Sequence, residues 1–187
     1  MDADVNAAPL PGDGPKRVAR RWREVLDGGR AALRAAFQAR ADTPRLLRGH
    51  TRLVDRAVAG IWTDLGAPAE AALVAVGGYG RGQLFPHSDV DVLILLPGAL
   101  DAAGTAFVES LVGVLWDAGL EAGHSVRTIA QCVAEMASDV TITTSLLEHR
   151  FVAGSRRLHH AFGRDIAAAM DVPSFYEAKM LEQQQRH

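Results

Sequence analysis

The segment from Leu73 to Leu96 constrains this chain more than any other part of the sequence. An apolar run leads into a loop that carries four glycines and Arg81, and Asp89 and Asp91 then open a second apolar run. Both apolar runs are typical of buried strands. Side chains at i and i+2 of a strand leave the same face, about 7 Å apart at Cα. The two carboxylates are therefore predicted to stand side by side.

The paired carboxylates and the glycine loop together indicate a site. Two adjacent carboxylates repel each other, and burial raises the pKa of one of them unless a cation shares them. Oxygen ligands beside a loop that fits phosphate suit Mg²⁺, which binds a few carboxylates together with substrate phosphates. Either feature alone is commonly an ordinary turn. An Asp pair at the head of a buried strand is costly unless it is used, so the combination predicts metal-dependent transfer chemistry on a nucleotide.

Composition narrows the class of protein. The 187 residues are 48% apolar and 22% charged, which is typical of one soluble globular domain with a sizeable core. Twenty basic residues against 22 acidic ones give no reason to expect general nucleic-acid binding. Between Lys16 and Arg56, however, twelve basic residues face four acids. This stretch is either a solvated helix face or a basic surface that steers an acidic partner or nucleotide.

The sequence also favours a cytoplasmic protein that does not cross a membrane. No apolar run approaches the roughly 20 residues that span a bilayer, and the N-terminus lacks the pattern of a signal peptide. The single cysteine, Cys132, excludes an internal disulfide framework and suits a reducing compartment. Its helical spacing predicts a buried thiol in the core.

The predicted architecture is an α+β domain in which helices flank a small mixed sheet that carries the site. Residues 1–15 are predicted to be a disordered lead, and residues 16–187 one domain. The predicted strands are 73–76, 90–96 and 119–126. The predicted helices are 17–40, 45–65, 102–116, 129–150 with an interruption near Ser138 and Asp139, and 155–170.

The motif resembles that of the DNA-polymerase-beta-like nucleotidyltransferases. An apolar residue and two glycines, Val76 to Gly78, are followed after ten residues by Asp89-Val-Asp-Val92. The fuller string, Gly-Gly-Tyr-Gly-Arg-Gly-x-Leu-x-Pro-x-Ser-Asp-x-Asp, is similar to bacterial PII uridylyltransferase/uridylyl-removing enzymes. The stretches 115–128, 139–150 and 179–187 resemble the same family, so the resemblance covers about residues 45–187. Gln83 departs from the glutamate that this family usually has.

The resemblance implies roles for individual residues. Catalysis and Mg²⁺ binding are expected of Asp89 and Asp91, and nucleotide binding of Gly77, Gly78, Arg81 and Ser88. The alternative for Ser88 is a turn or capping residue, which the sequence favours over a catalytic role, and the alternative for Arg81 is a solvent-facing loop residue. A β-branched side chain at Gly78 would fill the space of the triphosphate and resist the positive φ expected there.

A third carboxylate usually stands on a neighbouring strand in the superfamily. The local sequence around Glu121 fits that role. The alternative is that Glu121 is a solvated strand residue. His124 is a further candidate for chemistry. His159 and His160 are predicted on the surface rather than as ligands.

The activity implied by the resemblance is transfer of UMP from UTP to a tyrosine of the PII nitrogen-regulatory protein. The residues alone do not favour uracil over adenine, so another protein nucleotidyltransferase, such as an adenylyltransferase, stays open, as does an inactive interaction module. Family members are several times longer and continue into a phosphohydrolase domain and two ACT domains, which this sequence lacks. We expect a truncated N-terminal nucleotidyltransferase part with little activity alone, and glutamine as an effector only through the absent domains.

Overall fold

A single mixed sheet of four strands forms the centre of the molecule. The computed structural model describes residues 14–185, so most of the predicted disordered lead lies outside the described residues. The strands are β1 (Ala72–Ala75), β2 (Val90–Leu96), β3 (Ala122–Thr128) and β4 (Arg150–Gly154). The helices are α1 (Pro15–Ala39), α2 (Thr43–Asp64), α3 (Gly77–Gly80), α4 (Ala102–Asp117), α5 (Ile129–Met136), α6 (Val140–Leu147), α7 (Arg156–Ala169) and α8 (Val172–Gln185).

The strand order β3-β2-β1-β4 places the two most apolar strands in the middle of the sheet. β1 runs antiparallel to both β2 and β4, whereas β2 and β3 are parallel, so the sheet is mixed. The register pairs Val74 with Leu93 and Asp91 with Gly123. Every residue of β1 is buried, as expected for a central strand covered on both faces.

Two hydrophobic cores cover the two faces of the sheet. Alternate residues of β2, including Val90 and Val92, join a core with side chains from α1, α2 and α4. Leu93 and Leu95 point to the other face, where Cys132, Phe162 and other side chains of α5–α7 cover them. Asp91 belongs to this second set by alternation. The acidic pair therefore lies at one end of the face covered by α5–α7.

Most elements agree with the sequence predictions. The α+β class with a small mixed sheet flanked by helices is confirmed. The interruption near Ser138 is also confirmed, because the carboxylate of Asp139 accepts from the Thr141 and Ile142 amides and starts a new helix. Cys132 is buried, and burial raises the pKa of its thiol to about 11.

Two boundaries were predicted wrongly, and two short elements, β4 and α3, were not predicted. The helix predicted to run to Arg150 ends at Leu147, and Arg150 instead begins β4, whose partner β1 lies more than 70 residues earlier. The third strand starts at Ala122 rather than Gly119, because Gly119 has φ +84° and its amide closes the end of α4 on Trp116. The glycine loop contains one turn of helix, α3. None of the helices in residues 14–185 is both long and apolar enough to cross a bilayer.

Candidate active site

The carboxylate of Asp91 lies near two glycines: Gly123 of β3 and Gly77, the first residue of α3, which follows β1. A Cβ built on Gly123 would stand 2.3 Å from Asp91 Oδ1, and one built on Gly77 would stand 3.7 Å from Asp91 Oδ2. A side chain at Gly123 would therefore displace the carboxylate. Gly123 thus leaves open the space that the Asp91 carboxylate occupies, whereas a Cβ on Gly77 would make only ordinary van der Waals contact with it.

The electrostatics of the acidic pair favour a bound cation. Burial raises the pKa of Asp91 above its ordinary value, and repulsion from Asp89 raises it further. Asp89 lies just before β2 and is exposed, so the pair has one half-buried and one exposed carboxylate. A divalent cation would relieve both the desolvation and the repulsion.

The glycine loop turns sharply at Gly77. Its φ of +55° is the left-handed region that glycine adopts without strain. Gly78 does not share this conformation, so the positive φ predicted for Gly78 belongs to Gly77 instead. The amides of Gly77 and Gly78 start α3, where no intrahelical acceptor reaches them, and Val76 offers no side-chain cap. These two amides are suited to an external acceptor.

Arg81 extends over the loop and pairs with Glu148. The Arg81 Nη1 to Glu148 Oε2 distance is 2.5 Å, and this ion pair raises the pKa of Arg81. A Cβ on Gly78 would stand 3.7 Å from Arg81 Nη2, so the guanidinium lies against the start of α3. Arg81 remains more than half exposed. Its position fits an arginine that contacts phosphate, with Glu148 as its present counter-ion.

The side chain of Tyr79 lies under the glycine loop, where Asp55 of α2 and Arg150 of β4 hold it in place. The Tyr79 hydroxyl donates to Asp55 Oδ1 at 2.6 Å. Both terminal nitrogens of Arg150 donate to the same carboxylate at 2.9 Å, and Nη2 also donates to the Tyr79 carbonyl at 3.2 Å. Burial and Asp55 raise the pKa of Tyr79 well above its usual value.

The segment between the glycine loop and the acidic pair is tied to α2. Thr51 Oγ1 accepts from the Leu84 amide at 3.0 Å, and its one proton lies within reach of two carbonyl oxygens, that of Leu47 in α2 at 2.9 Å and that of Gly82 at 3.1 Å. His50 Nδ1 lies 3.2 Å from the Leu84 carbonyl, which makes this nitrogen the donor. Burial lowers the pKa of His50, so its ring is neutral at pH 7.

The remaining predicted residues lie around this centre rather than in it. The Ser88 amide donates to the Phe85 carbonyl at 3.1 Å, which makes Ser88 a turn residue beside Asp89. Glu121 is exposed, and its carbonyl accepts from the Val90 amide at 2.8 Å. His124 is paired with Val92 and so lies on the sheet face opposite to Asp91. The structure does not bring His124 to the acidic pair.

The two remaining predicted surface histidines differ from each other. His160 is exposed, as predicted. His159 is half-buried, with its Nε2 3.0 Å from His149 Nδ1 and its ring near Phe162.

A cavity of about 300 Å³ lies on the other side of β2 from Asp91. Side chains of α1 and α2 line it, among them Arg30 and His50, together with Val90 and Glu121. Glu121 therefore lies just before β3 and at this cavity.

Within residues 14–185, no three His, Cys, Asp or Glu side chains converge as metal ligands. Asp89 and Asp91 would therefore share a cation with oxygens from a substrate. Mg²⁺ readily takes such a mixed set of carboxylate, phosphate and water ligands. The donor set fits that ion.

Sequence reasoning missed four residues around the site. Ser145 Oγ would lie 3.4 Å from a Cβ on Gly77, and Glu148, Asp55 and Arg150 hold the loop from outside it. The stretch 139–150 was recognised as family-like, and this was the only signal for three of them. Nothing in the local sequence marked Asp55, which looks like one more charge on an amphipathic helix.

Comparison with known proteins agrees with the site. The family profile described as "Nucleotidyltransferase domain" matches residues 56–147, which include the glycine loop and both aspartates. The bifunctional uridylyltransferase/uridylyl-removing enzyme of Chromobacterium violaceum is 46% identical over 183 residues, 98% of this chain and 20% of that protein. The enzyme of the same name from Cupriavidus metallidurans is 48% identical over 170 residues, 91% of this chain and 20% of that protein.

A further relative and a solved structure complete the comparison. The corresponding protein of Cupriavidus pinatubonensis is 44% identical over all 187 residues, which are 22% of its length. The crystal structure of a mutant toxin–antitoxin MntA-HpeT is 13% identical with a TM-score of 0.37, and the match covers 70% of this chain and 93% of that one. The chain spans about a fifth of the length of the curated relatives it matches. It contains a nucleotidyltransferase domain and belongs to the same sequence family as the bifunctional uridylyltransferase/uridylyl-removing enzymes.

Proposed function

We propose that this domain transfers UMP from UTP to a tyrosine hydroxyl of the PII signal protein, with Mg²⁺ held by Asp89 and Asp91. The observation that carries the proposal is the Asp91 carboxylate, which lies near two glycines and beside a second carboxylate that raises its pKa. Uridylyltransferase relatives that match almost the whole chain support the choice of nucleotide. The PII acceptor follows from the resemblance of the motif.

Each part of the site has a defined task in this reaction. The amides of Gly77 and Gly78 would donate to the β- and γ-phosphates, which approach closely because neither residue has a side chain. Arg81 would exchange part of its pairing with Glu148 for a phosphate oxygen. Asp91 would be fixed and Asp89 would adjust, so that the pair orients the α-phosphate toward the acceptor oxygen.

The metal would lower the pKa of the attacking hydroxyl and neutralise charge on the triphosphate as pyrophosphate leaves. The protein itself then contributes mainly position and electrostatics. Ser88 shapes the turn before Asp89. Glu121, whose carbonyl accepts from the amide of Val90 next to Asp89, stays the candidate for a third carboxylate.

The test is incorporation of labelled UMP into purified PII protein. Wild type, Asp89→Asn and Asp91→Asn are compared in this chain and in a chimera that carries it in place of the matching segment of the Chromobacterium violaceum relative. We expect transfer in the wild-type chimera and a loss of at least about 100-fold in either variant, because each removes one carboxylate from the cation.

The nucleotide and the acceptor are separated by controls in the same assay. ATP, CTP and GTP should give little transfer, and a PII protein whose acceptor tyrosine is replaced by phenylalanine should take up no label. Preferred transfer of AMP would favour an adenylyltransferase instead. Near-wild-type activity in both aspartate variants would rule out the proposed metal site.

A further inference from the structure

We propose that Asp55, Tyr79 and Arg150 are positioning residues that fix the glycine loop in its nucleotide-binding geometry without contacting the nucleotide. The inference rests on the proposed nucleotide transfer at this loop. The three side chains come from α2, α3 and β4, elements that are separated by 24 to 95 positions in the sequence. They meet only because the folded chain brings them under the loop.

The loop cannot hold its own conformation. α3 has four residues, three of which are glycine, so it lacks both the length and the residue types that stabilise a helix in isolation. Tyr79 is its one residue with a side chain, and that side chain is fully buried. The position of α3 is therefore set by what Tyr79 contacts.

Those contacts form a closed network around one carboxylate. Asp55 accepts from the Tyr79 hydroxyl and from both terminal nitrogens of Arg150. Arg150 closes the network by donating to the Tyr79 carbonyl, and its guanidinium lies 5.2 Å from the centre of the Tyr79 ring. Burial lowers the pKa of Arg150, but the hydrogen bonds to Asp55, the charge of Asp55 and the interactions with Tyr79 together raise the pKa overall.

A steric contact holds the end of α3 at the same place. A Cβ on Gly80 would stand 1.6 Å from the Glu148 carbonyl oxygen, so the backbone of α3 presses directly on the turn before β4. Glu148 also pairs with Arg81. The position of the turn before β4 therefore fixes both where the glycine loop lies and where the Arg81 side chain points.

The network lowers the stability of the fold at one atom, a cost in free energy that a purely structural ion pair would avoid. Arg150 Nε is buried and has no hydrogen-bond partner among residues 14–185. A buried donor without an acceptor destabilises the fold. Such a cost is consistent with a cluster selected for the geometry of the loop rather than for stability alone.

The experiment compares Tyr79→Phe and Asp55→Asn with a matched control on the same helix, Asp64→Asn. Asp64 is also a largely buried carboxylate, which accepts from Trp22 Nε1 at 2.8 Å and pairs with Arg21 at 3.3 Å, but it lies at the far end of α2. Each protein is titrated with UTP and Mg²⁺ by calorimetry. Thermal unfolding and amide hydrogen exchange of the loop peptides are measured without nucleotide.

We expect both cluster variants to weaken UTP binding by ten-fold or more and to speed exchange in residues 77–82. In the chimera, KM for UTP should rise more than kcat falls, because the loop contacts the triphosphate in both ground and transition states. Asp64→Asn should lower the melting temperature while leaving UTP affinity and loop exchange unchanged. A structural role alone would move only the melting temperature.

The possible results separate this inference from the proposed function. Unchanged loop exchange in Tyr79→Phe and Asp55→Asn would overturn the positioning role, whatever the nucleotide does. Faster exchange with wild-type UTP affinity would overturn it as well. A wild-type chain whose loop is held by the cluster but which binds no triphosphate would overturn the proposed function together with the inference that depends on it.

Discussion

At the residue scale, the least expected feature is Gly123, a glycine that leaves space for the carboxylate of Asp91 on the neighbouring strand. Its backbone is ordinary strand, so the reason for glycine is space: the carboxylate of Asp91 passes where a Cβ would be. The sequence motif contains the aspartate but gives no hint of this partner, because parallel pairing between β2 and β3 joins positions 32 residues apart.

Gly123→Ala tests this arrangement. The added methyl group would meet Asp91 Oδ1 at 2.3 Å, so the carboxylate must turn away from its place beside Gly77. We expect Mn²⁺ affinity in the presence of UTP, measured by electron paramagnetic resonance, to fall by at least ten-fold, while the circular dichroism spectrum stays that of the wild type. The physical reason is the displaced ligand, not a disrupted strand.

Gly113→Ala is the control for that substitution. Gly113 is exposed in α4, and nothing lies within 4 Å of the position of its Cβ. Alanine there should stabilise the helix by about 0.5–1 kcal/mol and leave Mn²⁺ binding unchanged. Equal Mn²⁺ affinity in Gly123→Ala and wild type would mean that Asp91 is not a metal ligand in the geometry seen here.

At the element scale, the parts of the fold with a strong local pattern were predictable. The long amphipathic helices α1 and α2 and the apolar strands β1 and β2 begin and end within a few residues of the positions expected from the sequence. β4 was not predictable, because its five residues have no alternating pattern and its stability comes from pairing with distant β1. α3 was not predictable for a related reason, because its three glycines form a helical turn only where the contacts of Tyr79 hold them in place.

The same distinction holds for the site. Asp89, Asp91 and the glycine loop are local in sequence, so their spacing was enough to predict that they act together. Asp55 and Arg150 are 95 positions apart and each looks like a surface charge in its own segment. Only the antiparallel pairing of β4 with β1 brings them together under the loop.

The segment that joins the loop to the acidic pair is held to α2 by two side chains, Thr51 and His50. Thr51→Val keeps the shape of the side chain but removes the acceptor of the Leu84 amide and the hydroxyl proton that lies between the Leu47 and Gly82 carbonyls. Leaving the Leu84 amide without a partner should cost about 1–3 kcal/mol in the free energy of unfolding, measured in urea. Hydrogen exchange should accelerate at Leu84.

Thr63→Val on the same helix provides the comparison. Its hydroxyl donates only to the Ala59 carbonyl, on the exposed face of α2. Its loss should change the free energy of unfolding by no more than about 0.5 kcal/mol. If the two variants were equally stable, Thr51 would not be what holds the segment.

At the scale of the whole molecule, the protonation of groups in different parts of the fold acts on the same folding equilibrium. Burial lowers the pKa of His50 under the loop and of His149 at the start of β4. The pKa of His159 in α7 is lowered to about 4, first by burial and then by the charges of its histidine neighbours and Arg156. Asp91 shifts in the opposite sense, since its pKa is raised.

The sign of each contribution follows from which state binds more protons. Below pH 6.5 the unfolded chain protonates these histidines while the folded protein resists, so stability falls as the pH is lowered toward 4. Asp91 binds its proton more readily in the folded state, so it contributes stability at low pH that is lost as the pH rises through its raised pKa. Acidification makes three histidines destabilise the fold and one carboxylate stabilise it. We therefore expect the free energy of unfolding to fall overall between pH 6.5 and 4.

His159→Gln tests this balance, because glutamine places a neutral amide near His149 Nδ1 and cannot take up a proton. We expect the urea midpoint of the wild type to fall steadily from pH 7 to 4.5, and that of His159→Gln to fall less over the same range. His124→Gln, an exposed position on β3, should follow the wild type. An unchanged slope in His159→Gln would show that acid acts elsewhere, whereas a flattened one would identify the contact between β4 and α7 as the part of the fold that acid weakens first.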